Sequence, residues 1–237
     1  MLTIPVLVYL FKIDPFTATS YSLFIVGITA LYGSWRHYKL GNLQLKASIV
    51  FAIPSLLSLL FTRAVLVPMI PIRLFNIAGI SVTRNMLIML VFALLMIFVS
   101  VIMIRKTKTK KIPSITNNYR LAMMGFLVGF FTGFLGAGGG FVIIPTLIFF
   151  AGLEMKQAVG TSLLIIAINS LIGFAGDLIQ GIQLNYILLL SISALAIAGM
   201  FIGTLLSQRI NGNKLRPAFG WFVLLMGAWI IIKEFLL

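Results

Sequence analysis

Cysteine is absent from the 237 residues, and acidic side chains nearly so: Asp14, Glu154, Asp177 and Glu234 are the whole set. Without cysteine there is no disulfide framework, no thiol nucleophile and no thiolate metal site. The single histidine, His37, is no basis for a metal centre. No pair of carboxylates has the spacing that acid–base catalysis needs, so the residues support neither an enzyme nor a cofactor. Charged residues make up 9% of the chain, against roughly 25% in soluble domains. Too few remain to build a water-facing surface. The N-terminus does not read as a signal peptide, because no basic region precedes its apolar run and no small-residue cleavage site is clear.

What is present is apolar. Hydrophobic residues are 61% of the chain and mean hydropathy is +1.15, so lipid is the expected solvent. Eighteen Lys and Arg give a net charge of +14. In a soluble chain that excess would suggest nucleic acid. Here basic residues held in cytoplasmic loops account for it, and no nucleic-acid partner is expected.

A membrane span needs about 20 residues at the helical rise of 1.5 Å. Runs of that kind fall near 17–36, 43–62, 83–104, 119–136, 157–177, 185–207 and 214–236. Two shorter runs, near 2–11 and 140–152, predict half-helices. The runs are continuously apolar rather than alternating, which disfavours strands. The expectation is an all-α, polytopic helix bundle. The hydrophilic stretch Arg105–Lys111, continuing to Asn118, reads as a basic cytoplasmic linker over 105–118, between units 1–104 and 119–237.

These units read as repeats. A shift of 140 residues lays Ile4-Pro5 over Ile144-Pro145, Ser22-Leu23 over Ser162-Leu163, Gly33 over Gly173, Gly41 over Gly181 and Asp14 over Glu154. Duplicated membrane units mark many secondary transporters, whose site lies between the repeats. In the second unit Phe141 follows Gly138-Gly139-Gly140 and an apolar run from about 119. In the first, Met1 stands where Phe141 does. The repeat therefore predicts a further helix and glycine motif upstream of Met1.

Gly125, Gly129, Gly133, Gly136 and Gly140 share a helix face, where another backbone can approach closely. Gly138, Gly139 and Gly140 in succession cost about 1 kcal/mol each inside a helix and predict a break. Facing a cavity, the freed N–H groups would form an anion nest, and a half-helix starting near Phe141 would aim its positive end at the same place; the alternative is that the glycines make only a tight hairpin. Pro145 fits the first turn of that half-helix. Asp14 and Glu154 precede helices as caps. Thr161, Ser162 and Ser22 fall two turns into membrane helices, as interhelical glue or as anion contacts. Asn169, mid-helix, needs a polar partner; its counterpart is Thr29. Asp177 and His37 are equivalent in the repeat; at helix ends they are expected to be solvated, with a coupled proton on either as the alternative. Gly199 and Gly203 form a packing pair, and Pro54 should kink its helix.

The run Gly133-Phe-Leu-Gly-Ala-Gly-Gly-Gly-Phe-Val-Ile-Ile-Pro145, followed by Ala158-Val-Gly-Thr-Ser162, resembles the signature of the sulfite exporter TauE/SafE family of membrane permeases. The first unit keeps Ile4-Pro5 and Ala18-Thr-Ser-Tyr-Ser22 but lacks the glycine motif. The resemblance implies transport of small anions, such as sulfite, organosulfonates or related oxyanions, across a bacterial inner membrane, with proton coupling plausible. It implies an anion site at Gly138, Gly139, Gly140, Pro145, Thr161 and Ser162, joined by Asn169 and faced by Pro5 and Ser22 from the first repeat. The partners implied are the small anion and the lipid bilayer, with homo-oligomerisation left open. Counting the short run as a separate crossing gives an odd number per repeat and hence inverted repeats, with parallel repeats as the other arrangement. Arg120, Lys156, Arg209, Lys214 and Arg216 would then be cytoplasmic, and Arg63, Arg73 and Arg84 would lie outside. An anion channel and a non-transporting scaffold are the alternatives.

Overall fold

The computed structural model describes residues 3–71, 73–77, 80–104, 118–135, 140–182, 184–209 and 212–236. In lipid every backbone N–H must be satisfied within the chain, and continuous apolar runs do this as helices. The helices are α1 (Thr3–Pro5), α2 (Pro15–Lys39), α3 (Leu45–Phe61), α4 (Val67–Met69), α5 (Arg84–Ile104), α6 (Asn118–Leu135), α7 (Gly140–Phe150), α8 (Met155–Ile179), α9 (Tyr186–Arg209) and α10 (Gly212–Leu236). A π-helical segment, Val6–Leu10, follows α1, and another, Thr62–Leu66, joins α3 to α4. Among the described residues four helices, Phe16–Lys39, Leu45–Met69, Met155–Ile179 and Tyr186–Leu206, are long and apolar enough to cross a membrane.

The helical reading holds for every apolar run. One small element lies between α4 and α5: strands β1 (Arg73–Ile77) and β2 (Ile80–Thr83) pair antiparallel. The expected linker falls mostly on 105–117, outside the described residues.

Local chemistry fixes the helix ends. Asp14 caps α2, accepting from Phe16 N at 3.0 Å and Thr17 N at 3.2 Å. Glu154 precedes α8, and its N–H donates to Gln157 Oε1 at 3.4 Å. Both acidic residues thus serve as helix starts. At the far ends Gly41 and Gly181 take φ of +70° and +79°, the left-handed conformation that closes a helix. The same backbone bonds recur 140 residues on. Asn42 N donates to His37 O, and Ile182 N to Asp177 O; Ile13 N donates to Leu7 O, and Leu153 N to Leu147 O.

Helices α2 and α8 run antiparallel and cross closely. Ser20 meets Asp177 at one end of the crossing, and Gly160 lies against His37 at the other. Between them Gly33 abuts Leu163, and Gly173 abuts Leu23, a pair related to the first by the same shift. Helix α3 runs parallel to α8: Ser55 faces Asn169, and Arg63 faces Asp177. Helix α6 covers α3 through its glycine face. A Cβ at Gly125, Gly129 or Gly133 would overlap the backbone carbonyls of Phe51, Ser55 or Leu59. Helices α5 and α10 pack as a second pair, with Gly220 and Gly227 against Met103 and Met96.

Two expectations about packing change. Pro145 sits at the sixth position of α7, inside the helix rather than in its first turn. It costs the helix one N–H bond near its start. Gly199 and Gly203 on α9 have nothing within 4 Å of an added Cβ, so no described residue packs on them. The α3 face that α6 covers (Phe51, Ser55, Leu59, Thr62) has Ser191, Leu195, Gly199 and Ile202 as its counterpart on α9, and these four are exposed.

Candidate functional site

Among the residues whose side chains are described, Arg63 and Asp177 are the only Lys, Arg, Asp or Glu side chains that are buried, at 5% and 2% exposure. They form an ion pair. Arg63 Nε donates to Asp177 Oδ1 at 2.8 Å, and its Nη2 donates to Oδ2. This is the two-pronged fork that suits guanidinium to an oxyanion. The hydroxyl of Ser20 also donates to Oδ2, at 2.5 Å. The remaining guanidinium protons are satisfied by Thr19 Oγ1 and by the carbonyl of Gly133, both at 3.3 Å from Nη1. Four elements meet there: α2, the π-helical turn, α6 and α8.

Local structure aims each group. Arg63 sits in the π-helical turn Thr62–Leu66. Such turns insert one residue into a helix, re-aim the side chains beside it and recur at functional sites. Thr62 Oγ1 bonds back to Ser58 O at 2.8 Å, and Thr19 Oγ1 to Phe16 O at 2.6 Å. Each hydroxyl is thereby held in one rotamer. Gly133, two residues before the end of α6, lies close to α3 because it has no side chain.

Both charged partners depart from expectation. Asp177 was expected to be solvated at a helix end, and Arg63 fell just past the apolar run near 43–62, on the non-cytoplasmic side if the repeats are inverted. Instead α3 continues through the π-helical turn and α4 as a 25-residue span to Met69, which brings Arg63 inside the bundle. Asp177 lies under α2, at the level of Ser20. His37 is also buried, at 7%, rather than solvated, and its Nδ1 has no partner.

The residues expected to form an anion site are spread along the α2–α8 crossing rather than gathered. Gly138 and Gly139 lie outside the described residues, and Gly140 is the first residue of α7. Thr161 Oγ1 accepts from Gln44 N at 3.1 Å and ties α8 to the start of α3. Ser162 bonds to the preceding turn, to Val159 O. Sixteen residues separate Thr161 from Asp177, about 24 Å along a helix. Asn169 Nδ2 donates to Ser55 Oγ at 2.6 Å, the polar partner its position demanded. Its Oδ1, with Ser22 Oγ and Ser170 Oγ, is buried without a partner. Ser22 stands near the Arg63 end, one turn beyond Thr19. Pro5 and Pro145 are buried in the short helices that precede α2 and α8.

The unpartnered polar atoms, on Ser22 of α2 and on Asn169 and Ser170 of α8, lie on the same two helices that carry Ser20 and Asp177. Elsewhere, an open groove of about 730 Å³ is lined by Trp35, Tyr38, Leu45 and Leu164. It is almost wholly apolar, lies toward the opposite end of α2 and offers an anion nothing. Among the described residues no group of three His, Cys, Asp or Glu could hold a metal.

The family model described as sulfite exporter TauE/SafE matches residues 1–230. The chain belongs to this family. A probable membrane transporter protein of Xylella fastidiosa is 26% identical over 248 aligned positions, covering 99% of this chain and 87% of the relative. The probable membrane transporter protein YdhB of Bacillus subtilis is 26% identical, covering 84% and 78%. One from Methanocaldococcus jannaschii is 25% identical, covering 91% and 79%. No solved structure matches significantly. This TauE/SafE chain is thus a membrane protein of a transporter family. Sequence reasoning missed Arg63, Thr19 and Ser20. The available signal was a lone arginine at the edge of an apolar run, which by default marks a function.

Proposed function

We infer that this TauE/SafE protein carries small anions (sulfite, organosulfonates or related oxyanions) across the bacterial inner membrane, with an ion coupled to their movement. The observation that carries this reading is the buried guanidinium of Arg63, forked onto a carboxylate where four elements meet. A buried charge is costly to keep, and in membrane helices such groups mark substrate or ion pathways. The carboxylate occupies the place a substrate oxyanion would take. Ser22, Asn169 and Ser170 add unpartnered polar atoms on the helices that carry Ser20 and Asp177. The units 1–104 and 119–237 act as inverted repeats joined by the basic 105–118 linker. The antiparallel α2–α8 crossing, with its paired contacts, supports that arrangement.

Radiolabelled sulfite uptake into proteoliposomes tests this. Saturable uptake, competed by organosulfonates, is expected. Flux that rises linearly with concentration would point to a channel, and no flux would refute transport of sulfur oxyanions.

A further inference from the structure

The Arg63 site already holds an anion, and that anion is part of the protein. Three donors, Arg63 Nε, Arg63 Nη2 and the Ser20 hydroxyl, converge on the two oxygens of Asp177. A carboxylate, sulfonate or sulfite presents a similar pair of oxygens. The guanidinium cannot lose its proton, and its burial requires one negative charge beside it. Asp177 and an incoming anion therefore compete for one place. Both cannot be ionised there at once, since like charges in contact repel strongly.

Resting on the transporter reading above, we propose that Asp177 is a tethered competitor for the anion site, so that each monoanion bound on Arg63 is matched by one proton taken up on Asp177. The charges balance. The empty site holds guanidinium and carboxylate, with net charge zero. The loaded site holds guanidinium, substrate anion and neutral carboxylic acid, again zero. Asp177 turns its acid proton toward the Gly133 carbonyl, an acceptor already at the site, or the unpartnered Ser22 hydroxyl, and Arg63 keeps its fork on the substrate. One proton and one monoanion travel together, and the loaded and empty carriers move the same charge. Among the described residues no other titratable side chain hydrogen-bonds to the pair: Thr19 and Ser20 face it from α2, Arg63 from the π-helical turn and the Gly133 carbonyl from α6. The nearest titratable groups along α2 are Tyr21, whose hydroxyl accepts from Asn185 N, and Lys12 and Asp14, both exposed before its first turn. His37 is seventeen residues beyond Ser20, about 26 Å away.

The test is equilibrium binding of methanesulfonate to the purified protein in detergent across pH. A sulfonate is ionised throughout, so any pH dependence belongs to the protein. In the native chain Kd is expected to rise about tenfold per pH unit wherever Asp177 is ionised in the empty site. In Asp177→Asn, whose amide oxygen can still accept from Arg63, Kd should be independent of pH. Calorimetry in buffers of different ionisation enthalpy should find one proton taken up per anion in the native chain and none in the variant. A flat native profile, or the same slope in Asp177→Asn, overturns the proposal while leaving sulfite uptake intact. Failure to bind methanesulfonate overturns it as well. Only the loss of both binding and sulfite uptake by the native chain removes the transporter reading beneath it.

Discussion

Arg63→Leu alone is expected to destabilise the folded protein by about 3–5 kcal/mol, because it strands the Asp177 carboxylate in a buried site. The same loss is expected for Asp177→Leu, which strands the guanidinium. The double variant Arg63→Leu/Asp177→Leu should recover most of that loss. Replacing a buried ion pair by apolar side chains is often neutral or stabilising. The Thr19 and Ser20 hydroxyls that now serve the pair can turn to carbonyls of the preceding turn, as Thr19 already does. Thermal unfolding in detergent of the four proteins completes a double-mutant cycle. Losses that simply add would show that the two side chains are not energetically coupled. A stable but inactive double variant would show that the pair is kept for function rather than for folding.

Gly129→Leu should be the most disruptive substitution on α6. Its Cβ would fall inside the Ser55 carbonyl, a backbone group that cannot swing aside. Helices α3 and α6 would have to separate, which displaces Gly133 from Arg63. Overpacking of this kind typically costs about 1–3 kcal/mol, and more when backbone must move. Gly129→Ala should already be measurably destabilising. Gly199→Ala provides the contrast: with nothing within 4 Å, it should be neutral or stabilise by about 0.5–1 kcal/mol through helix propensity. Yield of monodisperse protein and its melting temperature distinguish these outcomes. Equal effects at 129 and 199 would contradict the α3–α6 packing.

Much of the architecture was legible because lipid imposes a simple rule: an apolar run of sufficient length becomes a helix. The helices at 15–39, 84–104, 118–135, 155–179 and 186–209 follow the runs closely. The caps at Asp14 and Glu154, the smooth glycine face of α6 and the need of Asn169 for a polar partner were also readable, since each is a local or single-helix property. The site was harder. Hydropathy ended the α3 span at 62, so Arg63 fell one residue outside it. Nothing in a hydropathy profile reveals a π-helical turn that carries the helix onward and turns an arginine inward. Asp177 looked solvated because the covering helix, α2, is distant in sequence. Thr19 and Ser20 were passed over beside Ser22 because a helix places neighbouring hydroxyls on different faces. Gly199 and Gly203 show the reverse error. Their spacing suits packing, but spacing does not supply a neighbour.

The central claim is that an oxyanion is recognised at Arg63, and sulfite uptake by proteoliposomes of matched protein content tests it most directly. Three proteins are compared: the native chain, Arg63→Gln, and Arg120→Gln at the exposed start of α6, each first shown to be folded and monodisperse. The account predicts saturable uptake by the native chain, uptake at the level of empty liposomes for Arg63→Gln, and native uptake for Arg120→Gln. Native uptake by a folded Arg63→Gln protein would contradict it.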